Sequence, residues 1–343
     1  MRVAIRADAS ASLGTGHVTR CLTLADALAA KGAKCVFLSR ELPAHLEAAI
    51  CARGHGAIRL ASDAPAEARE ALKDPVDWLI VDHYGLDARW ESAARPAARR
   101  LLAVDDLADR PHDCDALLDS AYGEDGSRYH GLLPKGCLGL FGSAYLPLRP
   151  QFASARGKIP PSLNLAAPVA HVFFGGSDRN RHTTRFARVI ATRLPRLRQE
   201  IAVGALYPDM EGLDRLKKEF PGGVAYRREV EDMAAHMSLC SVALGAPGMA
   251  TWERACLGLP GAYVATHSNQ IPILAALEKK GFCRFLGEAG AITDDAFAAG
   301  VGAFLDDAGG LASMRKMGLA AIDGKGTGRI VDALSSYGDE KRA

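Results

Sequence analysis

Short apolar runs alternate with segments of helical periodicity along almost the whole chain. Arg2–Ala7 is a β-type run, and a polar loop of small residues, 8–15, follows it. Val18, Cys21, Leu22, Ala25, Leu28 and Ala29 then recur at three- and four-residue spacing, which places them on one helix face, and Gly32 stops that helix. The same alternation predicts strands over 35–39, 57–60, 78–82, 101–105 and 116–119. Helices lie between them, the one after the second strand ending near Arg53. Residues 151–168 break the rhythm with Gly157, Pro160, Pro161 and Pro168 and few large apolar side chains. It restarts with strands expected at 170–174, 200–204, 223–226, 240–245, 261–265 and 283–286, and a helical stretch from Asp294 on.

A repeated strand-helix order implies parallel sheets with helices on both faces. Right-handed crossovers bring the C-terminal strand ends to one edge, where ligands bind. The expected architecture is therefore α/β, with two Rossmann-like domains and a cleft between them as the default site. The boundaries read as 1–152 for the first domain, 153–168 for a linker, 169–335 for the second domain, and 336–343 for a frayed tail.

Composition narrows the possible classes. The chain has 343 residues, 48% hydrophobic and 24% charged, with a formal net charge of +2. That balance is globular and lacks the basic field of a nucleic-acid binder, so no nucleic-acid partner is expected. No apolar run approaches the roughly 20 residues a bilayer needs, and the N-terminal residues carry Arg6 and Asp8 in place of an apolar leader. The expectation is a cytoplasmic protein without a membrane partner. The eight cysteines contain no C-x-x-C pair, so free thiols are expected, with neither disulfides nor structural zinc.

Five loops carry candidate chemistry. After the first strand come Asp8 and then Gly14, Gly16, His17 and Arg20 at the start of a helix. Glycines admit close backbone approach, and a helix N-terminus favours an anion. The same dipole disfavours an imidazolium at His17, leaving an imidazole able to take a proton from water; a simple cap is the structural alternative. The loop is neither a dinucleotide fingerprint, because Thr19 stands where the third glycine would be, nor a P-loop. Asp82, His83, Tyr84 and Gly85 end a predicted strand, as either sugar contacts or a plain turn. Gly175, Gly176, Ser177 and Asp178 form a strand-to-helix loop suited to phosphate or sugar contact. Gly245, Ala246, Gly248, Met249, Ala250 and Thr251 make a second glycine turn whose N–H groups can bind a diphosphate. Glu253, in the helix that follows, can accept from a ribose diol or merely complement the dipole. Asn269 and Gln270 can bond sugar hydroxyls or N-acetyl groups, with helix capping as the alternative. No G-x-S-x-G elbow and no metal-ligand spacing occurs, so no metal and no cofactor is expected.

In this order the segments resemble one family. They are R-x-D at residues 6–8, G-x-G-H-x-x-R at 14–20, D-H-Y-G at 82–85, V-D-D-L at 104–107, C-D at 114–115 and L-R-P-x-F at 148–152. F-G-G-S-D at 174–178, W-E-R-x-C-L-G-L-P at 252–260 and N-Q at 269–270 complete the set. The family is the UDP-2,4-diacetamido-2,4,6-trideoxy-β-L-altropyranose hydrolases of pseudaminic acid biosynthesis, similar in turn to the glycosyltransferase B fold and, more distantly, to the lipid II-forming N-acetylglucosaminyltransferase. The resemblance implies a UDP-sugar substrate, UDP held by the C-terminal half, and other enzymes of the same pathway as partners. It implies His17 as the base, with Asp8 as a weaker candidate for orienting it. Tyr84, Asn269 and Gln270 would touch sugar or water, and Glu253 the ribose. Met249 and Ala250 depart from the hydroxyl residues many relatives carry, so phosphate contact there relies on backbone N–H groups and Thr251. Ser268 likewise replaces a frequent Glu before N-Q. A UDP-sugar glycosyltransferase and a non-catalytic nucleotide-sugar binding module are the alternatives.

Overall fold

The computed structural model describes residues 1–10 and 13–337, so the expected frayed tail, beyond Tyr337, lies outside the described residues. The chain forms two compact units, one of residues 1–150 with 324 onward, the other of 151–323.

Unit 1 contains β1 (Arg2–Ala7), β2 (Lys34–Ser39), β3 (Gly56–Arg59), β4 (Val76–Asp82), β5 (Ala98–Val104), β6 (Ala116–Asp119) and β7 (Leu138–Phe141). All pair in parallel, in the order β3-β2-β1-β4-β5-β6-β7. Alternation along β1 sends Val3, Ile5 and Ala7 into one core and Ala4 into the other, as a sheet covered on both faces requires. The strand order reverses between β1 and β4, where Ala7 pairs with Asp82. Loops leaving the two strands diverge there and open a crevice at their C-terminal ends.

Unit 2 repeats the plan with β8 (Val169–Phe173), β9 (Arg198–Val203), β10 (Val224–Arg228), β11 (Val242–Gly245), β12 (Gly261–Ala265) and β13 (Cys283–Glu288). Its order is β10-β9-β8-β11-β12-β13, again parallel, with the reversal between β8 and β11. The loops after β8 and β11 are the two glycine turns of the second half.

Three features differ from the sequence expectation. The short strand β7 was not predicted; it is four residues long and interrupted by Gly139. Residues 153–156 of the expected linker are no linker, because Pro150–Arg156 is a helix, and Arg156 donates to the carbonyls of Cys256, Leu319 and Ile322 within unit 2. The helix Gly326–Ser336 belongs to unit 1, not to the second domain. Its Ile330, Val331 and Leu334 are buried in the same core as Val3, Val18 and Leu28, and Trp78 Nε1 donates to the Leu334 carbonyl at 3.1 Å. Each apolar side chain so buried contributes about 1.5–3 kcal/mol, which explains why the chain returns to its first unit.

Candidate active site

The helix Gly16–Ala30 begins at the β1 end of the unit 1 crevice, and His17 is its second residue. Gly14 has φ +76, and its N–H bonds the Ser10 carbonyl, closing the loop before the helix. Among the described residues, no atom lies within 4 Å of a Cβ built at Gly14 or Gly16, so they leave the backbone at both open to close approach.

Across the crevice, Asp82 ends β4 and is wholly buried. His17 Nδ1 lies 2.6 Å from Asp82 Oδ1. Arg20, one helical turn on, donates Nε to Asp82 Oδ2 at 2.6 Å and Nη2 to Oδ1 at 2.7 Å, and the Cys21 thiol donates to Oδ2 at 3.4 Å. Burial pushes the Asp82 carboxyl up, but the Arg20 charge and the bonds from Arg20 and His17 outweigh it and hold the group well below the usual carboxylate range. Asp82 is therefore ionised and can only accept, so the His17 proton resides on Nδ1. In the neutral ring the lone pair is therefore on Nε2, which has no protein partner among the described residues. The imidazole is held by a carboxylate, and Arg20 fixes the carboxylate in turn, the geometry a general base would need.

Tyr84 stands over the base, its ring 4.7 Å from that of His17 in an edge-on arrangement at 83°. Burial and then the Asp106 charge push its phenol up to about 12, so it stays a hydrogen-bond donor. Asp106 follows β5 and also receives Arg20 Nη1 at 3.3 Å.

Asp8 sits elsewhere. It receives both terminal nitrogens of Arg6, at 2.7 and 2.8 Å, the backbone N–H groups of Arg40 and Glu41, and a contact from His83 at 3.5 Å. Asp8 does not touch His17; Asp82 does, because β1 directs Asp8 toward the tip of β2 while the register of β4 sets Asp82 against the helix. Asp8, Asp63 and His83 lie close enough together to hold a cation. Arg6 Nη2 also donates to Asp63 at 2.5 Å, so a buried guanidinium already supplies the positive charge among these groups. Arg20, expected to touch substrate, has its charge engaged by Asp82 and Asp106.

In unit 2, Gly245 has φ +152, and a Cβ there would fall 1.9 Å from the Phe173 carbonyl oxygen. Only glycine permits so close an approach of the β11 end to its paired neighbour β8. Gly248, at φ +137, precedes the helix Met249–Cys256, and among the described residues no atom lies within 4 Å of a Cβ built there. The N–H groups of Met249 and Ala250 lie in the first turn, ahead of the helix's own ladder. The other positions of this turn are already bonded. The Ala246 N–H donates to Phe173 O at 3.1 Å, and the buried Thr251 hydroxyl accepts from the Gly248 N–H at 3.3 Å, which corrects the expectation that these groups face phosphate. Glu253 is half-buried on the same helix.

After β8, Ser177 is exposed, but Asp178 is buried. The Asp178 carboxylate accepts from the His182 and Thr183 N–H groups and from the Thr183 hydroxyl at 2.6 Å. It caps the following helix, and that replaces the substrate contact expected of it. Gln270 likewise closes its own loop, its Oε1 accepting from the Thr266 N–H at 2.8 Å, whereas Asn269 is exposed and makes no side-chain cap bond. The eight cysteines are free.

No family model matches the chain. It is 30% identical over 155 residues to the UDP-2,4-diacetamido-2,4,6-trideoxy-beta-L-altropyranose hydrolase of Campylobacter jejuni, which covers 44% of this chain and 53% of that protein. The chain thus spans about half the length of this relative. It is 22% identical to the spore coat polysaccharide biosynthesis protein SpsG of Bacillus subtilis over 99% of this chain and 100% of that one. Among solved structures, MurG of Acinetobacter baumannii matches with a TM-score of 0.65 at 13% identity, covering 98% of this chain and 99% of that one. The calicheamicin glycosyltransferase CalG4 matches with 0.62 at 15% identity, covering 98% of each. Anabaena HepE in complex with UDP-glucose matches with 0.53 at 11% identity, covering 98% of this chain and all of that one. These likenesses establish the glycosyltransferase B fold, and the chain resembles the sugar-nucleotide hydrolase family named by its motifs.

Proposed function

We propose that this chain hydrolyses a UDP-sugar, releasing UDP and the free sugar. The substrate is UDP-2,4-diacetamido-2,4,6-trideoxy-β-L-altropyranose, the reaction a step toward pseudaminic acid. The observation that carries this reading is the His17–Asp82–Arg20 arrangement, a base whose tautomer leaves Nε2 ready to accept a proton. The identity shared with the Campylobacter jejuni hydrolase and the glycine turn of unit 2 support it.

In the proposed step a water oxygen attacks the anomeric carbon from the face opposite UDP. Its proton passes to His17 Nε2 as the C–O bond breaks and the electron pair leaves with the UDP phosphate oxygen. The configuration inverts, as when a base activates water on one face of a sugar ring. Backbone donors at the glycine turn, the Met249 and Ala250 N–H groups, are read as binding the UDP diphosphate, a leaving group that needs no acid. Tyr84 and Asp106 border the base and contact the sugar or the water.

The test is UDP release from a panel of UDP-sugars, followed by NMR with the sugar anomer, with and without EDTA. Fast inverting release from the altro sugar, lost in His17→Asn while UDP binding persists, is the expected result. Near wild-type turnover in His17→Asn would sink the mechanism. A UDP-sugar glycosyltransferase is the second reading, favoured by the likeness to MurG and CalG4. The same base could deprotonate an acceptor hydroxyl, and turnover that requires an acceptor other than water would select it.

A further inference from the structure

Arg254 is completely buried in unit 2, in the helix that follows the glycine turn. Its Nη2 donates to the Phe173 carbonyl at 3.2 Å, its Nη1 to the Ala246 carbonyl at 3.3 Å, and its Nε to His171 Nδ1 at 3.4 Å. All three acceptors are neutral. His171 is itself wholly buried, and burial, then the Arg254 charge, push its imidazole well down, so it stays uncharged and accepts. The Tyr263 ring covers the guanidinium, 5.1 Å from Cζ to centroid. Among the described residues no carboxylate pairs with Arg254, although buried cations are ordinarily paired.

The position of this charge is specific. A Cβ on Gly245 would lie 3.2 Å from Arg254 Nη2, so the guanidinium is pressed against the underside of the glycine turn. Of the two carbonyls it bonds, Phe173 ends β8 and Ala246 lies within the turn, just after β11. A well-packed apolar side chain could fill the same volume without the desolvation cost of a charge. Such a cation would be favoured by an anion bound at the first-turn N–H groups of Met249 and Ala250.

We propose that Arg254 is the fixed positive charge of a nucleoside-diphosphate site, acting through the Gly245–Gly248 turn and not by direct contact. It is a positioning residue, and the proposal rests on the reading that unit 2 binds UDP. The attraction grows with the ligand's phosphate charge and vanishes for the nucleoside alone.

Calorimetric titration of the full chain with UDP, UMP and uridine tests this in wild type, Arg254→Met and Arg254→Lys. Arg254→Met should weaken UDP by about tenfold or more and UMP less, while uridine changes by less than about twofold. Arg254→Lys, which keeps the charge but not the three-way bracket, should retain most of the UDP-to-uridine preference even where its melting temperature falls. Unchanged UDP affinity in Arg254→Met, or equal losses for UDP and uridine, would overturn the proposal. Should Arg254→Met fail to fold, the preference in Arg254→Lys decides: retained, it supports the fixed charge; collapsed, it refutes it. A wild-type chain that binds neither UDP nor uridine would instead defeat the nucleotide reading itself.

Discussion

Replacing Asp82 by Asn tests the site at its centre. Asp82 accepts bonds from His17 Nδ1, Arg20 Nε, Arg20 Nη2 and the Cys21 thiol, at 2.6, 2.6, 2.7 and 3.4 Å. Every partner is a donor, so the site needs two oxygens. An amide offers one oxygen and one NH2 group. If its oxygen faces Arg20 Nε, its NH2 faces His17 and draws the ring into the tautomer with the proton on Nε2, where the base must be empty. If the oxygen faces His17, the NH2 opposes a charged guanidinium. Either orientation also leaves the partly exposed Arg20 with Asp106 alone as a full counter-charge, so the loss of about 3–5 kcal/mol for breaking a buried pair is an upper bound. A misdirected general base lowers turnover by about a hundred- to ten-thousand-fold, equivalent to about 2.7–5.4 kcal/mol in the barrier. The assay is kcat for UDP release, with circular dichroism and UDP titration on the same preparation to separate chemistry from folding. Turnover of folded, UDP-binding Asp82→Asn within about threefold of wild type would refute the assignment of Asp82 as the group that sets the His17 tautomer.

Three further outcomes follow from the packing and the charges. Ile330→Ala should cost about 2–5 kcal/mol and reduce hydrogen-exchange protection in β1 and β2 but not in β8 and β9, because Ile330 is buried in the unit 1 core; loss confined to unit 2 would contradict the assignment of that helix. Gly245→Ala should destabilise unit 2 by about 3 kcal/mol or more in denaturant unfolding, since φ +152 and the Phe173 carbonyl at 1.9 Å leave no room for a Cβ. His112 donates Nδ1–H to Glu91 at 2.8 Å and lies 3.8 Å from Asp105; burial lowers its pKa, but these two carboxylates outweigh it and raise it from 6.5 to about 9. That raised value stabilises unit 1 fully below pH 6.5 and is lost as pH climbs through about 9, so urea unfolding should show a decline of up to about 3 kcal/mol over that window in wild type and a flatter profile in His112→Gln.

The order and type of the elements, and the turns that bear chemistry, were legible in the residues because their causes are local. Period-two and period-3.6 burial, glycine stops and strand-end polar clusters are written within a dozen residues of one another. This local signal located His17 at a helix start and the glycine turn at 245–248. It missed β7, where four residues with a central glycine carry too little pattern. The motif at 82–85 was visible, but not which of its residues mattered, since His17 and Asp82 are 65 positions apart.

What only the tertiary structure decided is which charges meet. Parallel register sets Ala7 beside Asp82 and so brings one carboxylate to the His17 helix, while Asp8, one residue beyond the same strand, turns to Arg6. Crossover connections place Phe173 and Ala246 around the Arg254 guanidinium, a buried cation that sequence alone reads as one more helix charge. The last helix joins the first unit because the chain doubles back to cover Val3 and Leu28, a choice made by unfilled core volume and not by proximity in sequence. Secondary structure follows from neighbours along the chain, whereas a catalytic tautomer, a counter-charge and a domain boundary follow from neighbours in space.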